Sequence, residues 1–213
     1  MDAIVLKTVL RNIRDDVIAN KDLLTQLDSV AGDGDLGISM AKGFEAVCRF
    51  VDSSDERDVG KLLVKSGMTL NNAAPSTLGT ILSIGPMSGG KQLLGKMDID
   101  IQDGLSFFQA ALMGIMDRAH SAVGEKTILD ALYPAYEAMK DRLEESGDAQ
   151  AALLAAAEAA HEGMLKTVNM RAVHGRAAYY ADESMNHQDG GATVGSLIVR
   201  AIADSLVVQK VAD

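Results

Sequence analysis

An all-α fold is what this 213-residue sequence predicts, and three observations carry the prediction. Apolar residues recur at spacings of three and four almost throughout, which is the period of a helix face and not of a strand. The apolar fraction, 47% of the chain, is mostly Ala, Leu and Met, with only 4% aromatic residues, the usage expected of helical proteins. Only three prolines interrupt the chain, and long Ala/Leu/Glu/Lys runs such as 148–168 pass without a breaker.

The elements follow in order. Ile4, Val5, Val9, Ile13 and Val17 mark the apolar face of a first helix. Asn20 is a good N-cap for a second helix reaching Val30. A third spans 37–51, with Met40, Phe44, Val47 and Val51 on one side. The polar turn 52–57 separates it from a fourth at 59–70. A fifth begins near Pro75-Ser76-Thr77 and is expected to stop before Gly85-Pro86, since both residues end helices. That leaves 85–100 as loop. A sixth helix covers 101–119, and a seventh covers 126–145, closed by Ser146-Gly147. An eighth covers 148–170 and a ninth 192–211. No strand alternation, repeat or linker stands out, so a single domain over 1–213 is expected, with eight or nine helices packed as antiparallel neighbours.

Charge and cysteine usage narrow the function. A formal net charge of −10 argues against nucleic acid and anionic membranes as partners. It also means that a phosphorylated ligand would need cations to mediate its binding. The single cysteine, Cys48, excludes an internal disulfide and suits a reducing compartment. It lies in a helical stretch and reads as a buried, inert thiol. No signal peptide and no apolar span of about 18 residues is evident, so a soluble cytoplasmic protein is expected.

The chemistry concentrates in Leu27-Asp28-Ser29-Val30-Ala31-Gly32-Asp33-Gly34-Asp35-Leu36-Gly37. Asp28 ends an amphipathic stretch, and Asp33 and Asp35, two apart, can point to one side of an extended loop. Three carboxylates held this close repel one another unless a cation offsets them. An all-carboxylate donor set suits a hard divalent ion, Mg²⁺ above all when phosphates share the coordination. The glycines allow tight bending and close approach to a ligand.

Competing readings fare less well. Gly32-x-Gly34-x-x-Gly37 matches a dinucleotide fingerprint in form, but a helix precedes it and two Asp inside it would repel a pyrophosphate. An EF-hand starting at Asp33 would have Gly37 at its fifth position and Phe44 where Glu is required. A solvated acidic turn remains open for the loop taken alone. Gly85 to Lys91 imitates a P-loop, but Gln92 stands where Ser or Thr must bind Mg²⁺ and no parallel-sheet pattern surrounds it.

Two further Gly-punctuated segments precede helices. In Ser121-Ala122-Val123-Gly124-Glu125-Lys126-Thr127-Ile128, free N–H groups at a helix start could receive phosphate and Lys126 could add charge; an ordinary cap is the plainer alternative. The stretch from Val173-His174-Gly175-Arg176 to His187-Gln188-Asp189-Gly190-Gly191-Ala192 is the longest without helical period, and long loops in compact domains usually carry function. Arg176 is a natural donor to a phosphate or an Asp. His174 and His187 are candidates for acid–base work, with an ordinary surface role as the plainer reading.

Taken together, Asp28-x₄-Asp33-x-Asp35-x-Gly37, Gly-Glu-Lys-Thr-Ile-Leu-Asp-Ala-Leu-x-Pro-Ala and Gly-Arg-Ala-Ala-Tyr with His-Gln-Asp-Gly-Gly-Ala resemble the L subunit of dihydroxyacetone kinases over nearly the whole chain. The resemblance implies a closed barrel of eight antiparallel amphipathic helices with ADP or ATP held in loops at one end. It implies two Mg²⁺ on Asp28, Asp33 and Asp35, phosphate contacts from Leu36, Gly37, Ile38 and Ser39, and Ala74 and Pro75 close to the phosphates. Ala119 and Ile128 would line the adenine pocket, with Arg176, Asp189, Gly190 and Gly191 closing over the nucleotide. No catalytic residue is assigned in this chain. The small ketose would sit on a separate K-type subunit, bound covalently to a His, and an M-type phosphotransferase-system subunit would recharge the nucleotide. A homodimer is compatible with this reading. The alternatives are an ATP-dependent kinase subunit for a related ketose such as erythrulose, or a non-catalytic nucleotide-loaded regulatory module. An enzyme of prenyl-diphosphate type would need a second Asp cluster that the sequence lacks. The chain departs from the common family pattern at Leu36 (His), Ser39 (Asn), Ala74-Pro75 (Ser-Gly), Glu125 (Asp) and Gly190 (Pro).

Overall fold

The structure, a computed structural model, describes residues 1–208. Ten α-helical segments run in chain order among these residues: α1 (Ala3–Ala19), α2 (Lys21–Ser29), α3 (Leu36–Ser53), α4 (Val59–Ala73), α5 (Thr77–Gln92), α6 (Ile101–Ala119), α7 (Leu129–Ser146), α8 (Ala149–Lys166), the short α9 (Ala181–Ser184) and α10 (Gly190–Val208). Short 3-10 turns occupy Thr167–Asn169 and Arg176–Tyr180. The described residues contain no strand beyond an isolated bridge between Asp2 and Asp98. The end expected for the last helix, 209–211, lies outside the described residues.

Local chemistry accounts for most boundaries. Buried Asp58 caps α4 by accepting from the Lys61 N–H at 2.9 Å, and its second oxygen accepts from the Gly95 N–H at 2.8 Å. Asp100 and Asp103 form a reciprocal capping box at α6, and Asp148 caps α8. Gly147 ends α7 with φ +66°, the left-handed conformation that glycine adopts without steric cost. Asn20 does not cap α2; its amide donates instead to the Asp16 carbonyl at 2.8 Å.

Two expected boundaries fail for physical reasons. α5 continues through Gly85 and Pro86 to Gln92, so the loop is confined to 93–100. Proline removes one helical hydrogen bond, but this helix is held by packing through its small residues. A Cβ at Gly89 would lie 2.5 Å from the Phe107 ring, and one at Gly90 would lie 2.9 Å from the Gly60 carbonyl oxygen. Tertiary packing overrides propensity here. The P-loop imitation is therefore helix and offers no phosphate cradle. The seventh helix starts at Leu129 and not at Lys126, leaving 121–128 as an irregular loop.

The chain falls into two compact units, Met1–Asp15 with Ser39–His120, and Asp16–Ile38 with Ser121 onward. In the first, α4 packs on α5 and α5 on α6, around Val59, Leu62, Leu70, Leu82, Leu112 and Ile115. In the second, α7, α8 and α10 pack mutually and α2 contacts α10, with Leu129, Ala135, Ala156, Ala160 and Val194 buried. Each large apolar side chain so buried contributes roughly 1.5–3 kcal/mol. Close approach in this unit uses small residues: a Cβ at Gly163 would meet the Asp130 carbonyl oxygen at 2.1 Å. By length and composition alone α10 could cross a membrane, contrary to the expectation of no such span, yet half of that window is buried. Its Ala192, Val194, Val199, Ala201 and Ala203 belong to the core.

Candidate metal and nucleotide site

The second unit holds the acidic loop. Asp28 sits in the last turn of α2, and Asp33 and Asp35 precede the first residue of α3, Leu36. One oxygen from each of the three carboxylates lies within 4.8 Å of the others. The turn is drawn tight by the Gly32 N–H donating to the Asp28 carbonyl at 2.6 Å. Gly32 is required there, because a Cβ would fall 2.3 Å from Asp28 Oδ1. Gly34 adopts φ +73°. Asp28 Oδ2 accepts from the Asp35 N–H at 3.0 Å and, more weakly, from the Leu36 N–H at 3.4 Å. Arg176, from the 3-10 turn Arg176–Tyr180, places Nη1 2.7 Å from Asp33 Oδ2. Desolvation, followed by the charges of Asp33 and Asp28, pushes the Asp35 carboxyl above its ordinary value, with Arg176 opposing.

This donor set fits a hard cation. An ion with oxygen ligands at about 2.1 Å places opposite ligands roughly 4 Å apart, so the carboxylates need close only slightly to share cations. Gly37 and Ile38 follow in the first turn of α3, whose N–H groups lack partners within the helix. Leu36 is buried and faces Gly190, where a Cβ would lie 2.5 Å from its Cδ2. Two departures from the family pattern therefore touch: the missing side chain at Gly190 makes room for Leu36.

The remaining expected residues divide between the units. In the first unit, Ser39 Oγ donates to Ser76 Oγ at 3.0 Å, and Ser76 caps α5. Ala74, fully buried, ends α4 immediately before Pro75, and Ala119 is the last residue of α6. In the second, Ile128 is buried and packs toward α10, 3.0 Å from where a Gly195 Cβ would stand. Asp189, Gly190 and Gly191 open α10: the Asp189 carboxylate accepts from the Ala192 N–H at 2.7 Å, and its own N–H donates to Thr167 Oγ1 at 2.9 Å. Burial pushes the Asp189 carboxyl up to about 6.

The 121–128 segment does not behave as a phosphate cradle. Three of its N–H groups are already taken: Gly124 and Thr127 donate to the two oxygens of buried Asp130 at 2.5 and 2.7 Å, and Ala122 donates to Glu125 at 2.7 Å. Lys126 does not add charge at the surface. It is 7% exposed, and its Nζ donates to the carbonyls of Thr167 (2.7 Å), His187 (2.6 Å) and Met170 (3.3 Å). Its φ of +60° costs about 1–2 kcal/mol for a residue with a Cβ, so the surroundings must hold it. Burial pushes the Lys126 ammonium below its ordinary range, with the charges of Asp189 and Asp130 opposing. Sequence reasoning passed over Asp130; its spacing three residues after Thr127 was the available signal.

His174 does not stand free for acid–base work. Its Nε2 lies 2.6 Å from Glu125 Oε2, and the Ala122 N–H with this histidine holds the Glu125 carboxyl below its usual range. His187 is exposed and contributes its carbonyl to Lys126.

Comparison with known proteins gives a consistent result. The family model described as DAK2 domain matches residues 30–204. The Escherichia coli protein named PEP-dependent dihydroxyacetone kinase, ADP-binding subunit DhaL, is 28% identical over 85% of this chain and 87% of its own length. The Lactococcus lactis PTS-dependent dihydroxyacetone kinase, ADP-binding subunit DhaL, is 31% identical over 81% of each chain. The D-erythrulose kinase of Mycolicibacterium smegmatis is 32% identical over 87% of this chain, which spans only 32% of that enzyme. The crystal structure of the C. freundii dihydroxyacetone kinase in complex with AMP-PNP and Mg²⁺ superposes with a TM-score of 0.73 at 20% identity. That match covers 96% of this chain and 34% of the other, and it shows a shared all-α fold.

Proposed function

This chain belongs to the DAK2-domain family, that of the DhaL subunits of dihydroxyacetone kinases, and on that premise we propose that it is the ADP- or ATP-binding subunit of a kinase for dihydroxyacetone or a related short ketose. It acts as one functional domain in the cytoplasm. The observation that supports this most is the convergence of Asp28, Asp33 and Asp35, with Arg176 beside them, immediately ahead of the first turn of α3. Asp28, Asp33 and Asp35 would hold two Mg²⁺, whose chemistry is to neutralise the nucleotide phosphates during transfer. The chain's own groups then bind and orient. Leu36, Gly37, Ile38 and Ser39 would contact phosphate oxygens, partly through backbone N–H groups of the first turn of α3, with Ala74 and Pro75 near them. Ala119 and Ile128 line the base, and Arg176, Asp189, Gly190 and Gly191 close over the nucleotide.

The acceptor hydroxyl is brought by a separate K-type subunit docking over the acidic loop, since no general base for the ketose is assigned in this chain. Recharging by an M-type phosphotransferase-system subunit is supported by the names of the E. coli and L. lactis relatives, PEP-dependent and PTS-dependent dihydroxyacetone kinase subunits. A second reading, an erythrulose kinase subunit using ATP, is favoured by the 32% identity to the D-erythrulose kinase. Acid extraction of protein purified in Mg²⁺ is expected to release about one adenine nucleotide per chain, and EDTA treatment to strip it. Nucleotide-free protein that ignores Mg²⁺ overturns the proposal. Turnover with K-type subunit and either ATP or a phosphorylated M-type subunit separates the two donors.

A further inference from the structure

We infer that Lys126 is a positioning residue for the base-facing side of the nucleotide site: its buried ammonium ties the segment that opens α10 to the loop that leads into Ile128. The inference rests on the nucleotide-binding reading above and goes beyond the residues assigned there.

An ammonium has three N–H donors, and the Lys126 Nζ directs them to the carbonyls of Thr167, His187 and Met170. Those acceptors come from two stretches far apart in sequence, the exit of α8 and the residue two before Asp189. Thr167 extends the tie. Its hydroxyl donates to the Met164 carbonyl at 2.6 Å and accepts from the Asp189 N–H at 2.9 Å. Asp189 in turn caps α10 through Ala192. The first turn of α10, with Gly190 and Gly191, is thus anchored to Lys126 at two points, the His187 carbonyl and Thr167.

On the other side, Lys126 stands two residues before Ile128 in a loop whose N–H groups are fixed by Asp130. The left-handed backbone at Lys126 aims this side chain inward, although the segment offers Lys in the place where a phosphate-binding cation would be expected. No carboxylate lies in hydrogen-bond contact with Nζ among the described partners; the ammonium serves three carbonyls at once. A guanidinium, planar and longer, cannot converge on the same three acceptors. Among the described residues no hydrogen bond or ion pair joins the acidic loop at 28–35 to Lys126, Thr167 or Asp189, and its link to α10 is the packing of Leu36 on Gly190, so the two halves of the site can be weakened separately by experiment.

The test uses Lys126→Met, which keeps the unbranched stem and removes all donors, with calorimetric titration of Mg·ADP and of Mg·pyrophosphate against the full chain. The expected result is at least tenfold weaker Mg·ADP binding with Mg·pyrophosphate binding unchanged within twofold. Lys126→Arg is not expected to rescue Mg·ADP affinity. Equal weakening of both ligands reduces Lys126 to a purely structural role and overturns the inference, as does unchanged Mg·ADP affinity. Should Lys126→Met fail to fold, Thr167→Val, which leaves every acceptor carbonyl in place and removes only the hydroxyl that holds Asp189, must show the same split or the inference fails. Wild-type protein that does not bind Mg·ADP refutes the nucleotide reading itself, and this inference with it, before any variant is made.

Discussion

The loop between α2 and α3 and the loop ahead of α7 contain the same ingredients, glycines with positive φ, clustered acids and a helix start, yet they use them in opposite ways. Ahead of α7, the acids are consumed internally. Buried Asp130 satisfies two N–H groups, Glu125 satisfies a third and pairs with His174, and the one lysine is turned into the protein. Ahead of α3, three carboxylates crowd within 4.8 Å and, among the described residues, meet as donors the Asp35 and Leu36 N–H groups and exposed Arg176. The first loop has donors matched to acceptors and is finished as folded. The second has an excess of negative charge facing solvent, which repulsion makes unfavourable until cations arrive. What sets the candidate binding loop apart from the structural one is therefore the balance of donors to charges.

The largest effects should fall on opposite properties of the two loops. Asp33→Asn is expected to lower Mg²⁺-dependent ADP affinity by more than the roughly 10- to 100-fold typical of losing a group that only supports a metal ligand. Its urea midpoint should stay level or rise as repulsion is relieved. Calorimetry and urea titration on one preparation check both. Asp130→Ala should do the reverse. Two part-buried N–H groups lose their acceptor, at about 0.5–1.5 kcal/mol each, so unfolding free energy should fall by roughly 1–3 kcal/mol, while binding of Mg²⁺ alone at the acidic loop is retained. Loss of Mg²⁺ binding in Asp130→Ala with full stability would erase the distinction drawn above.

The same contrast explains what was legible in the sequence. Helices were, because a 3.6-residue apolar period survives without knowledge of the partners. The convergence of Asp28, Asp33 and Asp35 was too, because they lie within eight residues and the geometry is local. Most of the failures were matters of distant partners. Pro86 sits inside α5 because Gly89 and Gly90 admit Phe107 and Gly60 at close range. Lys126 reads as a surface cation until Thr167, Met170 and His187 converge on it from 41 to 61 residues away. Asn20 looks like a cap, but the Asp16 carbonyl one turn back claims its amide. That Leu36 and Gly190, 154 positions apart by subtraction of their numbers, accommodate each other was likewise invisible before folding.

A smaller effect follows from Asp189, whose carboxyl is pushed up to about 6 from an ordinary 3.8. A folded-state value above the unfolded one means that the folded protein holds the proton longer. This group's contribution to stability is then greatest below pH 4, falls between about pH 4 and 6, and is level above. The slope is bounded by about 1.4 kcal/mol per pH unit. Asp189→Asn keeps an acceptor for the Ala192 N–H and should remove this slope, so that the variant gains on the wild type as pH rises through that window in urea titrations. Parallel profiles for the two proteins would contradict it.

The smallest effect tests whether Arg176 belongs to the binding loop or merely balances its charge. Its ion pair with Asp33 is exposed on both sides, and such pairs contribute about 0–1 kcal/mol, so Arg176→Ala should leave stability within about 1 kcal/mol. The two cations compete, because Mg²⁺ and the guanidinium address the same Asp33 carboxylate. Removing the arginine should therefore raise affinity for Mg²⁺ alone, by about threefold at low ionic strength if the pair is worth ~0.7 kcal/mol, and added salt should shrink the difference. Mg·ADP binding should move the other way, because the phosphates lose a donor that the metal-bound Asp33 no longer holds. Opposite signs for the two titrations identify Arg176 as a group that hands Asp33 to the metal and turns to the nucleotide. Equal signs would make it an ordinary surface pair, leaving the excess charge of the acidic loop to the cations alone.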